Sequence, residues 1–211
     1  MEKLFDLFYQ SSGVFTDTRN VLKNGLFIAL KGANYNGNAF ASEAINQGAK
    51  FAIVDEEQFT NDETIFFVTE ALTFLQKLAN FHRKKFSIPI IGITGSNGKT
   101  TTKELIYQVL SSQYHTLATI GNLNNHIGVP LTLLSINETH EIAIIEMGAN
   151  RLHDIAELCE IAKPTHGIIT NIGAAHLEGF GSFEGVLKTK LELFESVEKS
   201  TGVLIVNKDD E

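Results

Sequence analysis

The sequence predicts an α/β protein in two parts, a small N-terminal α/β domain followed by a parallel-sheet domain built around a phosphate-binding loop. Three observations predict it. Short apolar runs alternate with stretches of helical periodicity along the chain. The segment Gly95-Ser-Asn-Gly98-Lys99-Thr100 stands between an apolar run and a helical stretch, the context a phosphate loop requires. Ser87-Ile-Pro89 breaks the pattern between the two parts.

In chain order, Met1–Gln10 reads as a short amphipathic helix and Asp17-Thr18-Arg19 as a polar turn. Leu26–Leu30 is a short apolar run, the mark of a buried strand. A Gly- and Asn-rich loop follows, Gly32–Asn38, then a helical pattern to Gly48, where glycine suits a helix C-terminus. Phe51–Val54 and Thr64–Val68 read as strands, and Glu70–Lys85 as a helix ending in His82-Arg-Lys-Lys85. These spacings divide the chain into residues 1–86 and 87–211. The second part has apolar strands at Ile88–Thr94, Ile142–Ile145, Gly167–Thr170 and Gly202–Val206. Helical patterns lie at Thr100–Ser112, Asn150–Ala162 and Phe183–Lys199, with a shorter one around Asn125–Leu134 that contains Pro130. Continuous apolar strands alternating with helices imply a parallel sheet covered on both faces. Ligands then bind beyond the C-terminal ends of the strands, so the residues directly after each apolar run are the candidates.

Composition narrows the classes. The chain has 211 residues, 43% of them apolar and 20% charged, which is globular rather than disordered. Its 17 Lys+Arg against 25 Asp+Glu give a net charge of −8, which disfavours broad nucleic-acid or anionic-membrane binding. No apolar run approaches a membrane span, and MEKLFDLFYQ carries acids where a signal peptide has an unbroken apolar core. A single cysteine, Cys159, excludes an intrachain disulfide and a Cys-rich metal site. A cytoplasmic protein is expected.

Gly95, Ser96, Asn97, Gly98, Lys99, Thr100 and Thr101 form the phosphate-loop candidate. Glycines let successive N–H groups turn toward phosphate oxygens, and the following helix start adds unpaired donors and partial positive charge. Lys99 can reach the β- and γ-phosphates, and Thr100 can ligate Mg²⁺. The loop is shorter than the usual pattern, with Ile93 at the position of the first glycine. Glu146 ends an apolar strand and is placed to hold Mg²⁺ near a triphosphate. His176 follows the run Gly167–Gly173, again beyond a strand; alone, such a histidine is as readily solvated or structural as a ligand. On a helical wheel of Glu184–Lys199, Lys190 projects into the arc of Val186, Leu187, Leu191, Leu193, Phe194 and Val197, while Lys188, Glu192 and Glu195 lie outside it. A lysine there must snorkel, be neutral or be paired. Cys159 falls on an apolar face with Leu152, Ile155 and Ala162 and reads as a buried core thiol. Gly121–Pro130 is dense in Asn, whose amides suit a neutral polar ligand or simply a turn.

Together, Thr94–Glu104, Gly121–Leu134, Glu146-Met-Gly-Ala149 and Thr170–Ser182 resemble the Mur ligases, the ATP-dependent amide ligases of peptidoglycan precursor synthesis. The resemblance runs through nearly all 211 residues. Its Asn-rich block and Glu146–Ala149 segment favour the members that add D-Ala-D-Ala over those that add the third residue of the peptide. The resemblance implies that the first domain holds the UDP end of UDP-N-acetylmuramoyl-tripeptide, with Thr18, Arg19 and the loop residues Asn34, Asn36 and Gly37 as contacts. Asn122 and Asn125 would face the substrate. Thr100 and Glu146 would hold one Mg²⁺ and His176 a second. Lys190 matches the family's carbamylated lysine, whose CO₂ adduct supports a metal site. The family's scheme is attack of the substrate carboxylate on ATP, giving an acyl phosphate that the amine of D-Ala-D-Ala then opens, with Lys99, Glu146, His176 and Lys190 in the catalytic centre. A monomer is expected.

Several positions depart from the family pattern. Asp17-Thr18-Arg19 stands where Asp-Ser-Arg is usual, Asn36-Gly-Asn38 where Asp-Gly-His is common, and Leu152-His-Asp154 replaces a Gly-Glu pair. Family members are longer and carry a third domain. The resemblance therefore implies a chain that stops within the central domain, without the C-terminal domain and inactive alone. Two other readings stay open: a non-catalytic UDP-sugar or nucleotide-binding module, and a folylpolyglutamate-type ligase, against which the domain ahead of the loop argues.

Overall fold

The computed structural model describes residues 2–61, 63–173 and 177–208. The chain forms two compact units, Met1–Leu78 and Ala79–Glu211.

The first unit is built on α1 (Asp6–Tyr9), β1 (Val14–Phe15), β2 (Leu26–Ile28), β3 (Lys31–Gly32), β4 (Tyr35–Asn36), α2 (Ala41–Asn46), β5 (Phe51–Val54) and β6 (Ile65–Phe67). Strands β1-β2-β5-β6 make a parallel sheet in that order, and β3 and β4 form a separate antiparallel ribbon. Phe15, Phe27, Val54 and Ile65 pack with Ala41 and Ala44 of α2 and with Ala29, Ala49 and Ala52. Small side chains at this contact let the helix approach the sheet closely. The expected N-terminal helix is only the four residues of α1, preceded by a 3₁₀ turn at Glu2–Leu4. β1 and the ribbon were not expected, because strands of two residues are too short to show a period.

The division between the units falls inside α3 (Ala71–Arg83) rather than after residue 86. The reason is hydrogen bonding. The last turns of α3 belong to the second unit: Asn80 Nδ2 donates to Glu160 O, Arg83 Nε to Ala162 O, and His82 Nε2 lies 2.8 Å from Ile136 O.

The second unit continues with β7 (Ile90–Thr94), α4 (Lys99–Leu110), β8 (Thr116–Ala118), α5 (Gly128–Leu133), β9 (Ile142–Glu146), α6 (Asp154–Ala162), β10 (His166–Ile169), α7 (Leu177–Phe180), α8 (Phe183–Lys199) and β11 (Val203–Ile205). Its sheet is parallel throughout, in the order β11-β10-β7-β9-β8. The strand order reverses at β7, with β9 on one side and β10 on the other. That reversal opens a crevice beyond the strand C-termini, where ligands bind in such sheets. The expected strands and the long helix Phe183–Lys199 are present, and β8 adds an edge strand too short to read from sequence. α6 starts at Asp154 instead of Asn150, because His153 takes a left-handed conformation (φ +70°) that halts a helix. β11 is exposed along its length, since an edge strand has a neighbour on one side only. Among the described residues no helix is long and apolar enough to cross a membrane.

Candidate active site

The candidate phosphate loop leaves β7 and is locked in place by the segment after β10. Gly95 has φ +146°, and any Cβ there would collide with the hydroxyl of Thr170. Asn171 accepts from Asn97 N on its Oδ1 (3.0 Å) and from Ser96 N on its backbone oxygen (3.0 Å). Thr170 Oγ1 donates to Asn97 O (2.6 Å), and Gly173 N donates to Ser96 Oγ (2.9 Å). Gly98 turns the chain with φ +77° into α4. The first intrahelical bond of α4 runs from Thr102 N to Gly98 O. The N–H groups of Lys99, Thr100 and Thr101 therefore have no partner within the helix and are the donors an anion meets. Lys99 Nζ folds back on the loop, donating to Gly95 O (2.7 Å) and Ser96 O (3.2 Å). Burial pulls its pKa down, against the opposing field of Glu146.

Glu146, the last residue of β9, is 1% exposed. Its Oε1 accepts from Asn124 Nδ2 (2.8 Å) and Thr100 Oγ1 (3.2 Å). Its Oε2 is buried with no hydrogen-bond partner. A hard divalent cation fits this pair. Adjacent oxygens on an octahedral Mg²⁺ lie about 3 Å apart, close to the Thr100–Glu146 separation, and the orphaned carboxylate oxygen has charge to give. Thr100 and Glu146 thus meet as expected from sequence.

Lys190 comes to the same place from α8. It is 3% exposed, and its Nζ sits 5.7 Å from the centre of the Phe180 ring. Burial, reinforced by the nearby Lys99, brings its pKa down to about 8, while Asp154 and Glu192 oppose the shift. A cleft of about 180 Å³ brings Lys190 and Lys99 together; Gly95, Asn124, Asp154 and Phe180 are among the other residues that line it, and Asn124 links it to Glu146. Glu192 is a correction to the helical wheel. It is buried, not outside the apolar arc, and its Oε2 accepts from Ala156 N (2.9 Å) at the start of α6. His153 Nδ1 stands 3.2 Å from its other oxygen. A carboxylate from α8 thereby caps α6 across the unit.

Of the Asn-rich segment, Asn125 and His126 line the cleft with Asn124, whereas Asn122 is exposed and outside it. Asn125 Oδ1 accepts from Ile127 N and Gly128 N, an Asx turn leading into α5. Sequence does not single out Asn124, Asp154, Thr170 or Asn171. Thr170 and Asn171 close an apolar run and obey the rule that points to Glu146; Asn124 and Asp154 become visible only when β9 and α6 are folded beside the loop. Asp154 accepts from Asn150 N, Arg151 N and Arg151 Nε. Burial pushes its carboxyl up, but these bonds hold it below the usual carboxylate range. His126 Nε2 lies 2.7 Å from Glu157 Oε2. His176 lies outside the described residues. Cys159 is buried against Met147 Sδ at 3.8 Å, and burial pushes its thiol up to about 12, as a core residue. Leu152 does not share its face: it precedes α6 and is 42% exposed.

In the first unit, Arg19 and Asn34 are exposed, and Thr18 lies in a 3₁₀ turn. Arg19 makes a two-pronged pair with Asp17, Nε to Oδ1 (2.9 Å) and NH2 to Oδ2 (2.6 Å). The hydrogen bond from Arg19 holds the exposed Asp17 carboxyl at about 2. Asn36 Nδ2 donates to Glu56 Oε1, and Gly37 is packed so closely on Leu30 that a Cβ would collide with its carbonyl. Asn38 is fully buried and joins the loop to the end of β5: its Oδ1 accepts Asp55 N (2.8 Å) and its Nδ2 donates to Asp55 Oδ1 (2.8 Å). Asn38→Ala should cost about 2 kcal/mol of stability, because the Asp55 N–H loses its acceptor in a buried place. Urea unfolding of the protein measures this. A loss indistinguishable from zero would mean that this bridge does not hold the loop.

Comparison with known proteins places this geometry. The Mur ligase middle domain family matches residues 93–211, and the Mur ligase family, catalytic domain, matches residues 10–84. The UDP-N-acetylmuramoyl-tripeptide–D-alanyl-D-alanine ligase of Bacillus subtilis (strain 168) is 42% identical over 200 residues, covering 94% of this chain and 44% of the relative. The Escherichia coli (strain K12) ligase of the same name is 39% identical over 197 residues, 93% of this chain and 43% of its own. The chain thus spans less than half the length of these relatives. A crystal structure of MurF from Acinetobacter baumannii superposes with a TM-score of 0.88 at 32% identity, over 100% of this chain and 49% of that one. MurF from Thermotoga maritima in complex with ADP gives 0.87 at 36% identity, over 97% and 47%. The family model that matches residues 93–211, more than half of the chain, and the fold shared with these structures show that the chain belongs to the Mur ligase family.

Proposed function

We propose that this chain carries the phosphate-handling part of an ATP-dependent amide ligase of peptidoglycan precursor synthesis, one that joins D-Ala-D-Ala to UDP-N-acetylmuramoyl-tripeptide. The observation that carries the reading is that Lys99 and Lys190 line one cleft with Asn124, whose amide donates to Glu146, the partner of Thr100. The names of the B. subtilis and E. coli relatives support the choice of substrates, and the ADP complex of the T. maritima enzyme supports ATP as the phosphoryl donor.

In this reading the terminal carboxylate of the tripeptide attacks the γ-phosphorus of ATP, the bond to the bridging oxygen breaks, and ADP leaves. The resulting acyl phosphate is opened by the amine of D-Ala-D-Ala, which loses a proton as the amide forms and phosphate departs. Two anions must approach each other in the first step, so the protein's task is to offset charge and align. Lys99 swings from the carbonyls of Gly95 and Ser96 to the γ-phosphate. The N–H groups of Lys99, Thr100 and Thr101 hold the β-phosphate at the start of α4. Mg²⁺ held by Thr100 and Glu146 would supply positive charge to the triphosphate. Lys190, whose lowered pKa makes the neutral amine accessible, would as a carbamate offer an anionic oxygen to a second cation, with His176 as a further ligand. Asn124 and Asn125 face the peptide end of the substrate. Arg19 and Asn34 contact its UDP end in the first unit, Met1–Leu78.

The test is ADP release by the protein encoded by the complete reading frame. Repeated turnover to ADP should need both UDP-N-acetylmuramoyl-tripeptide and D-Ala-D-Ala, with at most one ADP per protein when the tripeptide is supplied alone. ADP formation with a folate and glutamate in their place would contradict the reading.

A further inference from the structure

Lys103 has no part in the site as described, yet it is a fully buried lysine one turn beyond Lys99 on α4. Its Nζ donates to Thr119 O at 2.7 Å and lies 2.9 Å from the exposed Glu104 Oε1. It also lies 4.0 Å from Glu146 Oε2, the carboxylate oxygen that has no hydrogen-bond partner. The remaining contacts close a ring. Thr119 Oγ1 accepts the backbone N–H of Glu146 (3.0 Å), and Thr119 N donates to Ile144 O (3.0 Å). Lys103 therefore ties the chain after β8 to the end of β9 and turns its charge toward the far side of the Glu146 carboxylate. Asn124 and Thr100 occupy the near side.

A carboxylate buried to this degree needs a charge beside it, since isolated burial is strongly unfavourable. Asn124 and Thr100 supply hydrogen bonds but no charge. Lys103 supplies charge on the side of Oε2, and Lys99, which feels the field of Glu146, is a second cation near this carboxylate. The Lys103 ammonium repels a divalent cation arriving at Oε1. One carboxylate and one hydroxyl already make a weak set for Mg²⁺, which binds such sites together with substrate phosphates. We propose that Lys103 is a positioning residue, an internal cation that neutralises Glu146 in the nucleotide-free protein and so keeps free Mg²⁺ off the site until a triphosphate brings negative charge of its own. The inference rests on the reading of Thr100 and Glu146 as a metal-holding pair. It makes metal and nucleotide binding mutually dependent, each strengthening the other by the same factor.

A purely structural lysine and an internal counter-charge predict opposite signs. Loss of a structural strut loosens the site and weakens Mg²⁺ binding. Loss of the counter-charge leaves Glu146 in need of a cation and strengthens it. The experiment is calorimetric titration of Mg²⁺ alone into the nucleotide-free protein, for wild type, Lys103→Met and Lys103→Gln, the last retaining a donor for Thr119 O. The Kd for Mg²⁺ should fall by about tenfold or more in both variants, given the strength of charge interactions at such distances. The tightening should vanish in Lys103→Met/Glu146→Gln. An unchanged or larger Kd in the single variants would overturn the proposal and leave the metal-pair reading intact. Tightening that survives in the double variant would overturn both. If neither single variant folds, the double variant decides: with both charges removed it should fold, and its failure to do so would refute the pairing.

Discussion

Lys99→Ala should lower kcat/KM for ATP-dependent ligation by about 10³-fold, the scale on which removal of one preorganised charge-stabilising donor acts. The argument is local. Among the described residues Lys99 and Lys190 are the lysines that line the cleft, and only Lys99 is anchored on the proposed phosphate loop, its Nζ bonded to Gly95 O and Ser96 O. Those two carbonyls remain on a half-exposed loop when the side chain is removed, so water replaces the ammonium there. The unfolding midpoint should stay near that of the wild type while activity collapses. Lys99→Arg should recover little, because the planar guanidinium cannot make the same point contact. The measurement is ADP release at saturating and limiting ATP, with unfolding followed in parallel. A loss smaller than tenfold would contradict the role assigned to the loop.

Lys190→Ala should lower the same activity by about 100-fold, and short carboxylates such as acetate or formate should restore part of it. The residue is held in the cleft wall between Phe180 and the first turn of α6, where a lone ammonium is costly. A carbamate removes that cost by turning the group into an anion that a cation can neutralise. The pH dependence follows from the lowered pKa. Carbon dioxide reacts with the neutral amine, and the amine loses its proton through about pH 8 instead of the usual lysine range. The carbamylated fraction should therefore rise with pH across that value and fall below it. Carbon-13 NMR of protein equilibrated with labelled bicarbonate reads the adduct directly. Carboxylate rescue with no adduct at any pH would contradict the carbamate. Loss of activity without rescue would make Lys190 a packing residue.

The parts of this protein that were legible in its sequence share one property: their signal is contained in a single element. The run Ile90–Thr94 with Gly95–Thr100 behind it reads as strand, loop and helix, because apolar continuity, glycine and a helix start are all local. Glu146 was found by the same logic, as an acid closing an apolar run. Lys190 stood out on the wheel of a 17-residue helix, long enough for its period to show. What escaped was set by tertiary approach. Glu192 looked solvent-facing on α8, yet it is buried because α6 brings the Ala156 N–H to it. Lys103 gives no signal within its own helix, yet β8 and β9 close over it. Sequence does not favour Asn124 over Asn122 and Asn125, since three asparagines in one polar segment look alike until β9 brings Glu146 beside one of them. Asn38 was read only as part of a Gly- and Asn-rich loop, although its amide holds that loop to β5. The start of α6 is a further case: His153 takes the left-handed turn that glycine favours, although the residue itself gives no such signal.

The central claim is that this cleft moves the γ-phosphoryl group of ATP onto the terminal carboxylate of the peptide. Oxygen-18 in that carboxylate tests it most directly. If the carboxylate attacks phosphorus and the amine then attacks the acyl carbon, one labelled oxygen must leave with the phosphate. Mass spectrometry of the phosphate released by the protein of the complete reading frame, supplied with ATP, the labelled UDP-N-acetylmuramoyl-tripeptide and D-Ala-D-Ala, should find one oxygen-18 per turnover. Released phosphate free of the label, with amide formed, would contradict the account.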